Sequence, residues 1–68
     1  MDLKDSTYKY KVDNSTFYHF KKQNGFTEVL EIYKDKSGYG FIFEGETIFK
    51  EISGYKTLTR LKDELKTI

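Results

Sequence analysis

Four aromatic residues, Tyr18, Phe20, Tyr33 and Phe49, are interleaved along the chain with three carboxylates, Glu31, Glu44 and Glu51. Gathered on one surface, such residues recognise rather than react. Rings give contact area at low entropy cost, and carboxylates select a basic partner. The groupings that carry catalysis are missing: no nucleophile elbow, no phosphate loop, no carboxylate pair at acid–base spacing and no metal-ligand set. His19 is the single histidine and cysteine is absent, so neither a thiolate zinc site nor a disulfide framework can be built. His19 reads as a packed or rim residue. The chain is expected to be a non-enzymatic module without metal or cofactor.

Those side chains can share a surface only if strands carry them. Tyr8-Lys9-Tyr10-Lys11-Val12 alternates strictly, which puts Tyr8, Tyr10 and Val12 on one side of a strand and both lysines on the other. Asp13-Asn14-Ser15 is a turn, and Thr16 to Lys22 reads as a second strand. Asn24-Gly25 is the signature of a two-residue type I′ hairpin. That loop would set Lys21 opposite Glu28, Phe20 opposite Val29, His19 opposite Leu30 and Tyr18 opposite Glu31. One face would then hold Phe17, His19, Phe26, Leu30 and Ile32, and the other Tyr18, Phe20, Val29, Glu31 and Tyr33.

Asp35-Lys36-Ser37-Gly38 makes the next turn, Tyr39 to Glu44 a fourth strand, and Thr47 to Ile52 a fifth, ended by Ser53-Gly54. The register across Glu44-Gly45 decides where Phe49 points. A two-residue loop pairs Phe41 with Ile48 and turns Phe49 away from Phe41. A left-handed bulge at Gly45 would instead put Tyr39, Phe41 and Phe49 on one face. The two-residue loop is preferred. It collects Phe17, Phe26, Leu30, Ile32, Phe41, Phe43, Ile48 and Ile52 as a core face, leaving Tyr18, Phe20, Tyr33 and Phe49 among Glu31, Glu44 and Glu51. Beyond the sheet, Leu58, Leu61, Leu65 and Ile68 form one helical stripe with Thr57 as N-cap. The expected class is α+β: an antiparallel meander of four to five strands with one C-terminal helix packed on one sheet face.

Size and charge agree with one small domain over residues 1–68, its first seven residues polar and flexible. Aromatics make up 18 % of the chain, enough for a short sequence to bury area that offsets its ordering entropy. No segment resembles a signal peptide or a membrane span, so a soluble, cytoplasmic domain is expected. The formal net charge is only +1, low for a protein that binds nucleic acid mainly through charge.

Gly38-Tyr39-Gly40-Phe41-Ile42 resembles the base-stacking strand of RNA-recognition domains, with Ser37 and Glu44 departing from that signature. Glu31-Ile32-Tyr33-Lys34, Thr47 to Ser53 and Gly54-Tyr55-Lys56-Thr57-Leu58 are similar to segments of cold-shock domains. That likeness spans residues 29–58. It implies single-stranded nucleic-acid binding by Tyr39, Phe41 and Phe49, with Lys9, Lys11, Lys21 and Lys22 available for phosphates. Two stacking positions of that family are replaced, by Ile32 and Glu51. Residues 23–53 also hold three lysines against six acids, which would repel a phosphate backbone. Gly54-Tyr55-Lys56-Thr57 before a short helix also resembles the arm-type DNA-binding domain of phage integrases.

The leading expectation is therefore a stoichiometric protein-binding module with Tyr18, Phe20, Tyr33, Phe49, Glu31, Glu44 and Glu51 at the contact. By analogy it would be an accessory or inhibitor protein of a phage or mobile element, directed at a nucleic-acid enzyme through a basic surface. The alternatives are single-stranded nucleic-acid binding through sheet aromatics, and a homodimer formed over the spare apolar face.

Overall fold

The computed structural model describes residues 1–68. Five antiparallel strands, β1 (Tyr8–Val12), β2 (Ser15–Lys21), β3 (Thr27–Asp35), β4 (Gly38–Glu44) and β5 (Phe49–Tyr55), lie side by side in sequence order. One helix, α1 (Leu58–Leu65), follows and packs on β4 and β5. The expected α+β class, meander and terminal helix are all present. α1 has eight residues, and no helix is long and apolar enough to cross a membrane. Residues 1–7 carry a 3-10 turn at Leu3–Asp5, and Met1 and Leu3 pack against the core.

A helix this short has little stability of its own and depends on docking its apolar stripe. Leu61 and Leu65 are fully buried against Phe20, Leu30, Ile32, Phe41 and Phe43, all on one side of the sheet. Burying a side chain of this size contributes about 1.5–3 kcal/mol. Thr57 caps the start, its Oγ1 accepting from Arg60 N at 3.2 Å. At the far end the Met1 ammonium donates to the carbonyls of Leu65 (3.2 Å) and Ile68 (3.1 Å), placing a positive charge where the helix dipole is negative.

The β2–β3 register differs from expectation by one residue. Phe20 pairs with Glu28, His19 with Val29, and Tyr18 with Leu30. Lys22 N donates to Phe26 O (2.8 Å) and Gly25 N to Lys22 O (3.0 Å), so the loop holds three residues, Gln23 to Gly25. Gly25 has a φ of 91°, whereas Asn24 is not left-handed as a type I′ turn requires. The Asn24 amide is instead tied down, Oδ1 accepting from Phe26 N (3.0 Å) and Nδ2 donating to Glu46 (2.7 Å). One added loop residue moves every β2 side chain to the opposite face.

The β4–β5 loop also departs from the expected two residues. It runs from Gly45 to Ile48, pairing Glu44 with Phe49 and Phe41 with Ile52. The shift from the expected register is an even number of residues, so the faces are preserved: Phe41 and Phe43 face the helix and Phe49 faces away. Ile48 falls in the loop and is exposed, and Phe26 sits outside the core at its own hairpin.

β5 does not stop at Ser53-Gly54 but bulges there. Tyr39 pairs with Tyr55 while Phe41 pairs with Ile52, so Ser53 and Gly54 together oppose Gly40. Gly54 has a φ of 89°, which supplies the left-handed residue of the bulge. The extra residue returns Tyr55 to the helix side, where its ring stacks on Phe41 at 6.5 Å. Burial first, and then the neighbouring Glu64 charge, push the Tyr55 hydroxyl above its ordinary value. Glu64 accepts from Lys50 Nζ (3.2 Å) and from the Thr67 hydroxyl (3.2 Å), joining β5 to the end of α1.

Two predictions follow from this packing. Gly38 has a φ of 121°, and a Cβ there would collide with the Tyr55 carbonyl. Gly38→Ala should cost about 2–4 kcal/mol in urea denaturation, because strained backbone and a backbone clash add. The second concerns acid. The Lys50 hydrogen bond, with Thr67 next, holds the Glu64 carboxyl below its ordinary 4.5. As pH falls through 4.5, the unfolded chain takes up a proton before the folded chain does. Stability is thus lost as pH drops toward and through the folded value, and Glu64→Gln should flatten that acid limb of the urea midpoint.

Candidate functional site

Alternation along each strand leaves the side of the sheet opposite α1 without a covering element. Direct cross-strand pairing orders its side chains into rows. One row reads Tyr8, His19, Val29, Glu44 and Phe49, and the next Tyr10, Phe17, Glu31, Ile42 and Glu51. Tyr33 stands in a third row, its ring lying over Gly40: a Cβ at Gly40 would meet Tyr33 Cζ at 2.5 Å. The glycine is the space that this ring fills.

Aromatic contact is densest at the β1–β2 end. Tyr10 and Phe17 stack at 5.0 Å with ring planes 12° apart, and Tyr8 touches Tyr10 at 5.4 Å. His19 lies against Tyr8 (5.8 Å) and Tyr10 (5.5 Å), and its Nε2 is enclosed without a hydrogen-bond partner. The acidic end spans β3 to β5. Ser15 Oγ donates to Glu31 at 2.6 Å, holding this central carboxylate in place, while Glu44 and Glu51 are exposed. Asp35 closes the same side, its carboxyl held below the ordinary range by the Ser37 hydroxyl and then by the Ser37 backbone N–H. Lys21 is the lysine on the strands of this face. Tyr8, Val12 and Phe49 are each more than half exposed.

Five of the seven residues expected at a partner contact are here: Tyr33, Phe49, Glu31, Glu44 and Glu51. Tyr18 and Phe20 are not. The one-residue register shift puts both on the helix side, where Phe20 is core and Tyr18 packs against it. Phe17, expected in the core, takes their place, together with Tyr8, Tyr10 and His19. The alternation of β1 already set Tyr8 and Tyr10 on one side. Phe17 meets Tyr10 across the Asp13-Asn14 turn, and what the Asn-Gly dipeptide hid was which side of β3 the pair would occupy.

The stacking set implied by the RNA-binding resemblance is split. Tyr39 and Phe41 face the helix, Phe41 with no accessible surface, and Phe49 faces the other way. The four lysines are also divided. Lys9 and Lys11 lie on the helix side of β1, Lys21 on the open face, and Lys22 pairs with Glu28 at 3.2 Å. A cleft of about 410 Å³ beside the β4–β5 loop has Phe20, Phe43 and Ile48 among its walls and Asp2, Asp5 and Glu46 at its rim. No group of three His, Asp or Glu side chains is placed to hold a metal ion. Set against protein-family models, curated proteins and solved structures, the chain gives no significant match.

The two phenylalanines expected to act together should behave oppositely. Phe20→Ala opens a core cavity and should cost about 3–5 kcal/mol, whereas Phe49→Ala should stay within about 0.5 kcal/mol of the parent in urea denaturation.

Proposed function

We propose that this chain is a non-enzymatic binding module whose uncovered sheet face takes a basic protein surface. The observation that carries the reading is the composition of that face. It is broad, rich in rings, and acidic over half its width, with Glu31, Asp35, Glu44 and Glu51 against Lys21. Apolar and aromatic area supplies the association energy, and the carboxylates steer and orient a cationic partner. A phosphate backbone would be repelled by the same carboxylates. A second copy laid face to face would oppose one set of glutamates with another, which favours a different partner over self-association. Inhibition of a nucleic-acid enzyme through its basic surface is one form such binding would take. That form rests on analogy alone.

Site-specific photo-crosslinking from position 49 in cells of the source, with nuclease treatment before capture, tests the reading. The expected result is a discrete protein adduct that disappears when Glu31→Lys and Glu51→Lys are introduced. Adducts indifferent to charge reversal, or adducts to nucleic acid only, would overturn it. With the partner purified, Phe49→Ala should weaken binding by about 2–4 kcal/mol, the scale of an interface anchor.

A further inference from the structure

The opposite side of the sheet is only partly covered, because α1 packs on β4 and β5. On the remaining helix-side surface, Lys9 and Lys11 project from β1 and Lys34 from β3. The Lys9 ammonium lies 5.5 Å from the Tyr18 ring centre, and the Lys34 ammonium 5.3 Å from that of Tyr39. None of these three lysines pairs with a carboxylate, unlike Lys22, Lys50 and Lys66. A groove of about 290 Å³ runs between the first hairpin and the start of α1, lined by Lys11, Thr16, Lys34, Tyr39 and Leu58, with Asp13 as its one acid. The two sides of the sheet thus differ in sign.

We propose that this groove, with Lys11, Lys34 and Tyr39 in its walls and the Lys9–Tyr18 pair beside it on the same side of the sheet, binds single-stranded nucleic acid. A single strand needs a positively charged track with rings on which bases can lie. Lys11, Lys34 and Tyr39 line the groove, and Lys9 and Tyr18 extend the same surface along β1 and β2. Lys9 and Lys11 are two positions apart on one strand, about 6.8 Å at the usual rise, so two ammoniums can meet successive parts of one backbone. In the free protein the ammoniums lie over the rings with no carboxylate to compete for them. A bound strand draws the ammoniums to its phosphates and leaves the ring faces to its bases. The site is separate from the acidic face and shares only Tyr39 with the Tyr39–Phe41–Phe49 set, since Phe41 is buried and Phe49 points the other way.

The test is fluorescence anisotropy of a labelled oligothymidine of about 12 nucleotides, inside the range of known single-strand site sizes. Three phosphate contacts predict a slope of log affinity against log salt of about −2. Lys11→Glu with Lys34→Glu should weaken binding at least about tenfold at low salt, while Phe49→Ala leaves it unchanged. An abasic oligomer of equal charge should bind several-fold more weakly, as stacking on the tyrosines requires. Absence of binding at about 20 mM salt, indifference to the lysine reversals, or equal affinity for the abasic strand would overturn the proposal. So would equal binding of anionic lipid vesicles, or salt-sensitive self-association that the Glu31→Lys variant abolishes. Retention of binding in Glu31→Lys and Phe49→Ala keeps this result independent of the fate of the acidic face.

Discussion

Lys22 N–H to Phe26 O and Gly25 N–H to Lys22 O, with Gly25 left-handed, close the loop that fixes how β2 meets β3. Everything about which surface faces which solvent depends on that closure. With three loop residues, Phe20 joins the core and Phe17 and His19 join Tyr8 and Tyr10 on the open face. With two, Phe17 would go under the helix and Phe20 would be left outside. The register also satisfies the core. Tyr18 beside Leu30, and Thr16 beside Ile32, continue the apolar layer that Phe41 and Phe43 extend toward α1.

The remaining devices serve one problem, a core of seven buried apolar residues in a sheet with two faces. The Ser53-Gly54 bulge turns Tyr55 back so that it stacks on Phe41 and enlarges the helix side. Lys50, Glu64 and Thr67 tie the strand to the helix end, and the Met1 ammonium closes the last turn. No counterpart shields the other face. Its rings are instead held by one another, and by Gly40 beneath Tyr33. A surface of that kind, interleaved with carboxylates, is suited to displacing water from a basic partner.

Much of the fold was legible in periodicity. The strict alternation from Tyr8 to Val12, the Asp35 turn and the Leu58–Ile68 stripe correspond to β1, the β3–β4 hairpin and α1. Thr57 is the N-cap, as its residue type suggested. The β2 faces were not legible, because Asn24-Gly25 fits either a two-residue type I′ loop or a turn with Gly25 as bulge. The choice is made by tertiary bonds, including Asn24 to Glu46, twenty-two residues away. The β5 limits were obscured for a related reason: Ser53-Gly54 reads as an end but acts as a bulge. Of the contact residues, those on β3 to β5 followed from alternation, whereas Tyr18 and Phe20 inherited the error in the loop. Lys9, Lys11 and Tyr39 were legible as candidate nucleic-acid contacts, but Lys34 and the groove that sets it beside Lys11 and Tyr39 could not be read, since they depend on which strands α1 leaves open.

The central claim is the β2–β3 register, and cross-strand proton contacts in solution test it most directly. In an NMR spectrum the account predicts backbone proximities that set Tyr18 opposite Leu30 and Phe20 opposite Glu28. Proximities setting Tyr18 opposite Glu31 and Phe20 opposite Val29 would contradict it. They would return Phe17 to the core and dissolve the aromatic half of the open face.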